Sequence, residues 1–289
     1  MRLGRFAVGD AVRYGVVISD NLATANGHPA DPVTADPGVA PGEAERAVDD
    51  LVVAEIAGHP FGPSAGEVKL TGARYPLADV RLLAPVLPSK IVAIGRNYEE
   101  HAGETGSEPP AEPLIFLKPS TAVIGPGDAI VRPVRLSHRV DYEGELAVVF
   151  GRLCRDVPMA RVPEVIFGYT CANDVTARDL QANDGQWARA KGFDTFCPLG
   201  PWIETDLDPA DVRLTTTVNG AVKQDARTSL LIHDIAALVT YVTAVMTMLP
   251  GDVLLTGTPA GIGPLQASDS VSVWVEGIGA LTNRVVDAS

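Results

Sequence analysis

Two glutamates sit inside an otherwise largely apolar run, Val140-Asp141-Tyr142-Glu143-Gly144-Glu145-Leu146-Ala147-Val148-Val149-Phe150. Val and Phe suit a pleated surface, so the run predicts a β-strand. In a continuous strand residues i and i+2 share a face, which sets Glu143 and Glu145 side by side. Carboxylates that close repel each other, and burying them requires a proton or a cation to offset the charge. Two readings follow: a solvated Glu-x-Glu on an exposed face, or a site for a hard divalent cation, Mg²⁺ or Mn²⁺, with oxygen ligands. Asp174, at the end of another strand-like run, offers a third carboxylate. Three monodentate ligands fill half of an octahedron and leave positions open.

Composition narrows the function. Hydrophobic residues make up 46% and charged residues 20% of 289, an ordinary globular balance. A formal net charge of −13 argues against nucleic acid, whose affinity rests on Lys and Arg meeting phosphates. An anionic substrate must therefore be met by a local cluster of cations or by a metal. The N-terminus lacks the apolar core of a signal peptide, and the longest apolar run, residues 235–249, is too short and polar to span a bilayer. Cys154, Cys171 and Cys197 have no metal-type spacing and read as reduced thiols. A cytoplasmic enzyme is the expectation.

Along the chain, residues 20–45 are rich in Ala, Pro, Gly and Asp and read as an irregular loop. Strand-like pieces flank it at residues 2–8, 11–18 and 67–70, giving a small β-rich N-terminal domain, residues 1–74, ahead of a larger one, residues 75–289. In the larger part short strands are punctuated by Gly and Pro. Asn219-Gly220 supplies the positive φ angles of a two-residue turn between residues 213–218 and 221–224. Residues 271–276 and 280–286 form a second hairpin. Ile235, Leu238, Val239 and Val242 carry helical periodicity, predicting a helix over 234–249 stopped by Pro250-Gly251. Many strands, few helices and no β-α alternation predict a mostly β, α+β fold.

Residue spacing nominates further chemistry. His101 and Glu104 lie three apart with helical spacing, so the acid can fix the tautomer of the imidazole and raise its basicity, or the pair can be an ordinary surface turn. Residues 105–113, short on apolar side chains and closed by prolines, resemble a lid. Lys118 lies in an apolar strand, where an ammonium needs an acid. Arg178 and Gln181, three apart after Asp174, suit a fork of donors for a substrate carboxylate, with Arg96 and Tyr98 as weaker candidates. Asp141 reads as a structural acceptor. The Gly-rich 257–263 stretch lacks the lysine of a phosphate loop.

Taken in order, Arg96-Asn97-Tyr98-x-x-His101-x-x-Glu104, Phe116-x-Lys118-Pro119, Asp141-Tyr142-Glu143-x-Glu145, Asn173-Asp174-Val175-Thr176-Ala177-Arg178-Asp179-x-Gln181, Lys191-x-Phe193-Asp194 and Thr256-Gly257-Thr258-Pro259 resemble the fumarylacetoacetate hydrolase family, over roughly residues 74 to 289. The resemblance implies that family's mixed β-sandwich and β-roll catalytic domain, a homodimer, and a metal held by Glu143, Glu145 and Asp174. It further implies His101 and Glu104 as a general-base pair on a lid, Lys191 as the cation stabilising negative charge, and Thr258 as a contact to a carboxylate substrate. The expected activity is Mg²⁺- or Mn²⁺-dependent C–C hydrolysis of an acylpyruvate-type 2,4-dioxo acid through a metal-stabilised enolate. Decarboxylation or isomerisation of a 2-oxo dicarboxylate is the close second, and a catalytically inactive ligand-binding protein is the alternative of another class.

Overall fold

The computed structural model describes residues 1–19, 51–61, 68–106 and 108–289. The loop expected over 20–45 lies outside these, as do Glu67 of an expected strand and Ser107 of the expected lid. The N-terminal stretch forms β1 (Arg2–Val8), β2 (Ala11–Ser19), β3 (Leu51–Ile56), β4 (Leu70–Pro76) and β5 (Arg81–Leu83). Then come β6 (Ile91–Gly95), helix α1 (Glu99–Glu104), β7 (Leu114–Lys118), β8 (Val123–Ile124) and β9 (Ala129–Arg132). The middle holds β10 (Val140–Tyr142), β11 (Gly144–Phe150), β12 (Ile166–Asn173), β13 (Thr176–Ala177), α2 (Arg178–Asp184), α3 (Ala188–Lys191) and β14 (Cys197–Glu204). The C-terminal part adds β15 (Arg213–Val218), β16 (Ala221–Arg227), α4 (Ile235–Val245), β17 (Val253–Leu255), β18 (Gly263–Pro264), β19 (Ser270–Val275) and β20 (Gly279–Asp287). The fold is mostly β, as the strand signals predict.

One large sheet runs β4-β3-β2-β1-β14-β12-β11-β17-β6-β7, with β5 joined to β1 and β8 to β14. The N-terminal strands extend this sheet directly, because Arg2 and Leu3 of β1 pair antiparallel with Glu204 and Ile203 of β14. A five-stranded sheet, β16-β15-β19-β20-β9, and a small one, β13-β10-β18, complete the layers. At the β15–β16 turn Asn219 and Gly220 adopt φ of 51° and 78°, the left-handed geometry that the Asn-Gly pair predicts.

Strand β11 is buried along its whole length. Leu146, Val148 and Phe150 pack with Leu238 and Val242 of α4 and with Leu214, Val273 and Val275 of the five-stranded sheet. Ala147 and Val149 meet the opposite cluster, with Ile91, Ala93 and Phe116. Apolar contacts on both faces explain why the run from Leu146 to Phe150 is continuous rather than alternating. Each fully buried Leu, Val or Phe contributes about 1.5–3 kcal/mol, so this strand is a firm mount for what it carries.

Helix α4 starts where expected: Asp234 caps it, accepting from the Ala237 amide at 2.7 Å. It stops at Val245, short of the 234–249 span that periodicity predicts. The reason is tertiary. Met246 turns to extended geometry, and Met248 exchanges backbone hydrogen bonds with Cys154 at 2.9 and 3.0 Å.

Candidate active site

The acidic run does not form one strand. β10 pairs with β13 and β18, whereas β11 pairs with β12 and β17, and Glu143 sits at the break where the chain changes sheet. The expectation that Glu143 and Glu145 align through strand alternation is therefore corrected. Glu143 is held instead by its backbone: its amide donates to Asn173 Oδ1 at 3.0 Å, and its carbonyl accepts from the Asp174 amide at 2.8 Å. Glu143 and Asp174 thus leave the β11–β12 pair together. One carboxylate oxygen each from Glu143, Glu145 and Asp174 lies within 4.8 Å of the others. All three residues are at most 3% exposed.

Cations surround these acids. Lys118 Nζ donates to Asp174 Oδ1 at 2.5 Å, and Lys191 Nζ donates to Asp174 Oδ2 at 2.5 Å and Glu143 Oε2 at 2.7 Å. Arg178 donates to Glu143 Oε1 at 2.5 Å, to Asp141 Oδ2 at 2.9 Å and to Gln181 Oε1 at 2.6 Å. Asp141, fully buried, also accepts from Arg139 at 3.0 Å, the structural role its position suggests. Burial would raise the Glu143 carboxyl, but Lys191 and Arg178 hold it well below the usual carboxylate range. Burial would lower the Lys191 ammonium, yet Asp174 and Glu143 raise it. Glu145 has no ion pair among the described residues and accepts only the Gly257 amide, at 2.7 Å. Burial, then the charges of Asp174 and Glu143, push its carboxyl well above the usual range.

These donors suit a divalent cation. Each carboxylate has roughly four lone-pair directions, so the lysine and arginine contacts leave acceptor capacity. An all-oxygen set is what Mg²⁺ or Mn²⁺ takes, and the buried Glu145 carboxyl lacks a cation of its own. Glu143, Glu145 and Asp174 would hold the ion.

A cavity of about 380 Å³ opens over the cluster, lined also by His101, Glu104, Thr258 and Gln181. His101 is buried on α1, and its Nδ1 lies 3.5 Å from Glu104 Oε2, with no closer partner. Burial lowers the His101 pKa from histidine's ordinary value, partly offset by Glu143 and Glu104, which favours the neutral imidazole. Glu104 also accepts the Gly261 amide at 3.2 Å. Thr258 donates to the Gly144 carbonyl at 2.9 Å, so its hydroxyl proton is committed to the backbone.

The other expected residues divide. Arg96 lines the cavity, with φ of 59° and its guanidinium 5.8 Å from the Trp187 ring centre. Tyr98 does not line it. Its backbone bridges to Leu231, its side chain is buried, and burial followed by Glu145 raises its phenol well above the ordinary value. Arg178 and Gln181 share a helix face as expected, but the guanidinium is already engaged by Asp141 and Glu143. Sequence reasoning missed Arg139 and Trp187 in the lining. Neither stands in a motif that signals chemistry, and only the meeting of distant elements brings them in.

Comparison with known proteins follows the same lines. The family described as fumarylacetoacetate (FAA) hydrolase C-terminal matches residues 90–286. One described as Rv2993c-like, N-terminal, matches residues 47–85. Protein Rv2993c of Mycobacterium tuberculosis is 53% identical over 289 residues, covering 99% of this chain and 98% of its own. The structure of 5-carboxymethyl-2-hydroxymuconate delta-isomerase from Mycobacterium smegmatis is 52% identical with a TM-score of 0.82, covering 100% of both chains. Maleylpyruvate hydrolase from Sphingobium sp. SYK-6, solved with manganese(II) and pyruvate, is 34% identical with a TM-score of 0.72, again over 100% of both. Among the described residues no helix is long and apolar enough to cross a membrane.

Proposed function

Because the chain belongs to the fumarylacetoacetate hydrolase family, we propose that it is a divalent-metal-dependent enzyme that hydrolyses a C–C bond in an acylpyruvate-type 2,4-dioxo acid. The observation that carries this reading is a buried His101 beside Glu104, facing the same cavity as three convergent carboxylates and Lys191, with burial lowering the imidazole pKa. A bound Mg²⁺ or Mn²⁺ supplies Lewis-acid stabilisation of negative charge on the 2-oxo acid.

The chain's own residues do the rest. His101 takes a proton from water, and Glu104 stabilises the imidazolium that results. The hydroxide equivalent adds to C4, the C3–C4 bond breaks, and its electron pair passes into the 2-oxo acid fragment. A proton returned to C3 gives pyruvate and a carboxylic acid. Lys191, buried beside Glu143 and Asp174 with its pKa raised by them, supplies the positive charge that lowers the energy of the negative charge developing on the substrate in this reading. Phe116 and Trp187 pack edge to face in the cavity wall, 5.2 Å apart, and reduce access of bulk water.

Keto–enol isomerisation is the second reading, favoured by the 52% identity to the isomerase from M. smegmatis. It needs proton transfer at C3 but no attacking water. A panel of acylpyruvates, fumarylpyruvate and oxaloacetate, assayed with Mg²⁺ and with Mn²⁺ and read by NMR, separates the readings. Release of pyruvate plus an acid supports hydrolysis, and enol–keto conversion alone supports isomerisation. Stoichiometric metal binding with no turnover of any member would refute both and favour a ligand-binding protein on the same fold.

A further inference from the structure

The five-stranded sheet contributes a buried polar side chain that reaches the Gly144 peptide, between two of the cluster's acids. Gln224 on β16 is 1% exposed. Its Oε1 accepts the Gly144 amide at 2.9 Å, while its Nε2 donates to Thr258 Oγ1 at 2.7 Å and to the Pro259 carbonyl at 2.8 Å. Thr258 in turn donates to the Gly144 carbonyl. Both faces of the Gly144 peptide environment are thereby tied to one glutamine, and Gly144 is the residue between two of the three acids.

The packing around this clamp is tight. A Cβ at Gly144 would lie 2.0 Å from Thr216 Oγ1 and 3.2 Å from Gln224 Oε1. A Cβ at Gly261 would lie 2.0 Å from the Lys223 carbonyl. The β15–β16 hairpin therefore presses on the acidic break and on the loop whose Gly257 amide holds Glu145 and whose Gly261 amide holds Glu104. Glu143 lies between two sheets, held by one backbone bond from the Asp174 amide and by the Asn173 side chain, and Gln224 adds the tie on the next residue, Gly144.

We infer that Gln224 is a positioning residue for the carboxylate cluster, setting the relative direction of Glu143 and Glu145 so that they converge with Asp174 on one cation. The inference rests on the reading of that cluster as a metal site. Gln224 touches neither substrate nor metal in this role; it acts through Gly144 and Thr258.

The test is Mn²⁺ titration of the chelator-stripped full chain, read by calorimetry and paired with thermal melting. Gln224→Met keeps length and volume while removing all three hydrogen bonds, and should weaken Mn²⁺ binding by roughly 10–100-fold, the usual worth of a residue that orients metal ligands. Asn283→Leu is the control. Asn283 is a 2% exposed side chain of β20, in the same sheet, that donates to two backbone carbonyls, Gly125 and Asp128, away from the acids. It should lower the melting temperature with no change in Mn²⁺ affinity. Unchanged Mn²⁺ affinity in a folded Gln224→Met, or equal weakening in Asn283→Leu, overturns the inference. Should Gln224→Met fail to fold, Gln224→Asn, too short to reach all three partners, is judged by the same criterion. A wild-type chain that binds no Mn²⁺ overturns the proposed function and this inference with it, whereas intact wild-type binding with an indifferent variant overturns this inference alone.

Discussion

Lys191→Met isolates how the acidic cluster is stabilised before a metal arrives. The substitution keeps an unbranched, apolar stem beside Phe116 and removes the ammonium, together with its contacts to Glu143 Oε2 at 2.7 Å and Asp174 Oδ2 at 2.5 Å. Stripping a buried charge of its partner costs about 3–5 kcal/mol. Here Lys118 still meets Asp174 and Arg178 still meets Glu143, so a loss of roughly 2–3 kcal/mol is the reasoned figure. In a chain of this size that corresponds to a fall of roughly 5–10 °C in melting temperature. The Lys191 pKa is raised in the folded state, so its contribution is present in full below lysine's ordinary pKa. It is lost only as pH rises through the folded value. The assay is thermal melting at neutral pH, in chelator and then in excess Mn²⁺. A cation that takes the place of the missing ammonium binds the variant more tightly than the wild type, so Mn²⁺ should narrow the gap between them. A variant that melts with the wild type in chelator, or a gap indifferent to Mn²⁺, would refute the picture of lysine and metal sharing the same carboxylates.

Other expectations follow from the same geometry. The acid limb of the kcat/KM profile should lie below histidine's ordinary pKa of about 6.5, because burial lowers the His101 value and the neutral ring is the active form; a limb above neutrality would contradict this. His101→Ala should cost roughly 10²–10⁴-fold in hydrolysis while leaving Mn²⁺ affinity near the wild-type value, and a large loss of affinity would undo the assignment of roles. Gly257→Ala should destabilise by about 1–3 kcal/mol and weaken Mn²⁺ binding, since φ is +103°, a Cβ would lie 2.7 Å from Asn97 Cβ, and its amide holds Glu145. Gly185→Ala, at φ +68° with open space around it, measures the conformational cost alone. Asp252→Asn should lower the melting temperature near neutrality, since the buried Asp252 carboxylate accepts from Ser89, Lys90 and the Leu249 amide. Burial would raise its pKa, but those bonds lower it, so its stabilisation is present above the unfolded value near 3.9 and lost as pH falls through the folded one. The gap between wild type and variant should close on acidification, and a constant gap would count against the linkage.

The sequence made the strand-rich architecture and the acidic cluster legible for different reasons. Asn219-Gly220 and the apolar periodicity of α4 are local signals, and they worked because turn geometry and amphipathic packing act over a few residues. The end of α4 was not legible, because Met248 pairs with Cys154, far away in sequence. Glu143 and Glu145 stood out as charges in apolar surroundings, but the route by which they meet was misread. The change of sheet at Glu143 depends on β13, β18 and β12, which no local pattern announces. Tyr98 looked like a ligand contact because it is near Arg96 in the chain; its bridge to Leu231 shows that neighbours in sequence can serve different sides of the wall. Gln224 had no signal at all, since its meaning comes entirely from the peptide it meets across the sheet boundary.

Strand β7, which brings Phe116 to the cavity and Lys118 to Asp174, is the last strand of the large sheet and is laddered only to β6 among the described residues. Its outer edge therefore presents unpaired backbone groups, with Leu117 exposed beside them, as a template on which another chain could add a strand. The protein blunts that liability by brevity and by punctuation: β7 is five residues long and lies between Pro113 and Pro119, neither of which can donate to an incoming strand. The same device leaves this strand of the cationic wall with one laddered neighbour among the described residues. Fraying of this edge would draw Lys118 away from Asp174, so the resistance of the fold to self-association and the integrity of its acidic cluster are governed by one short strand.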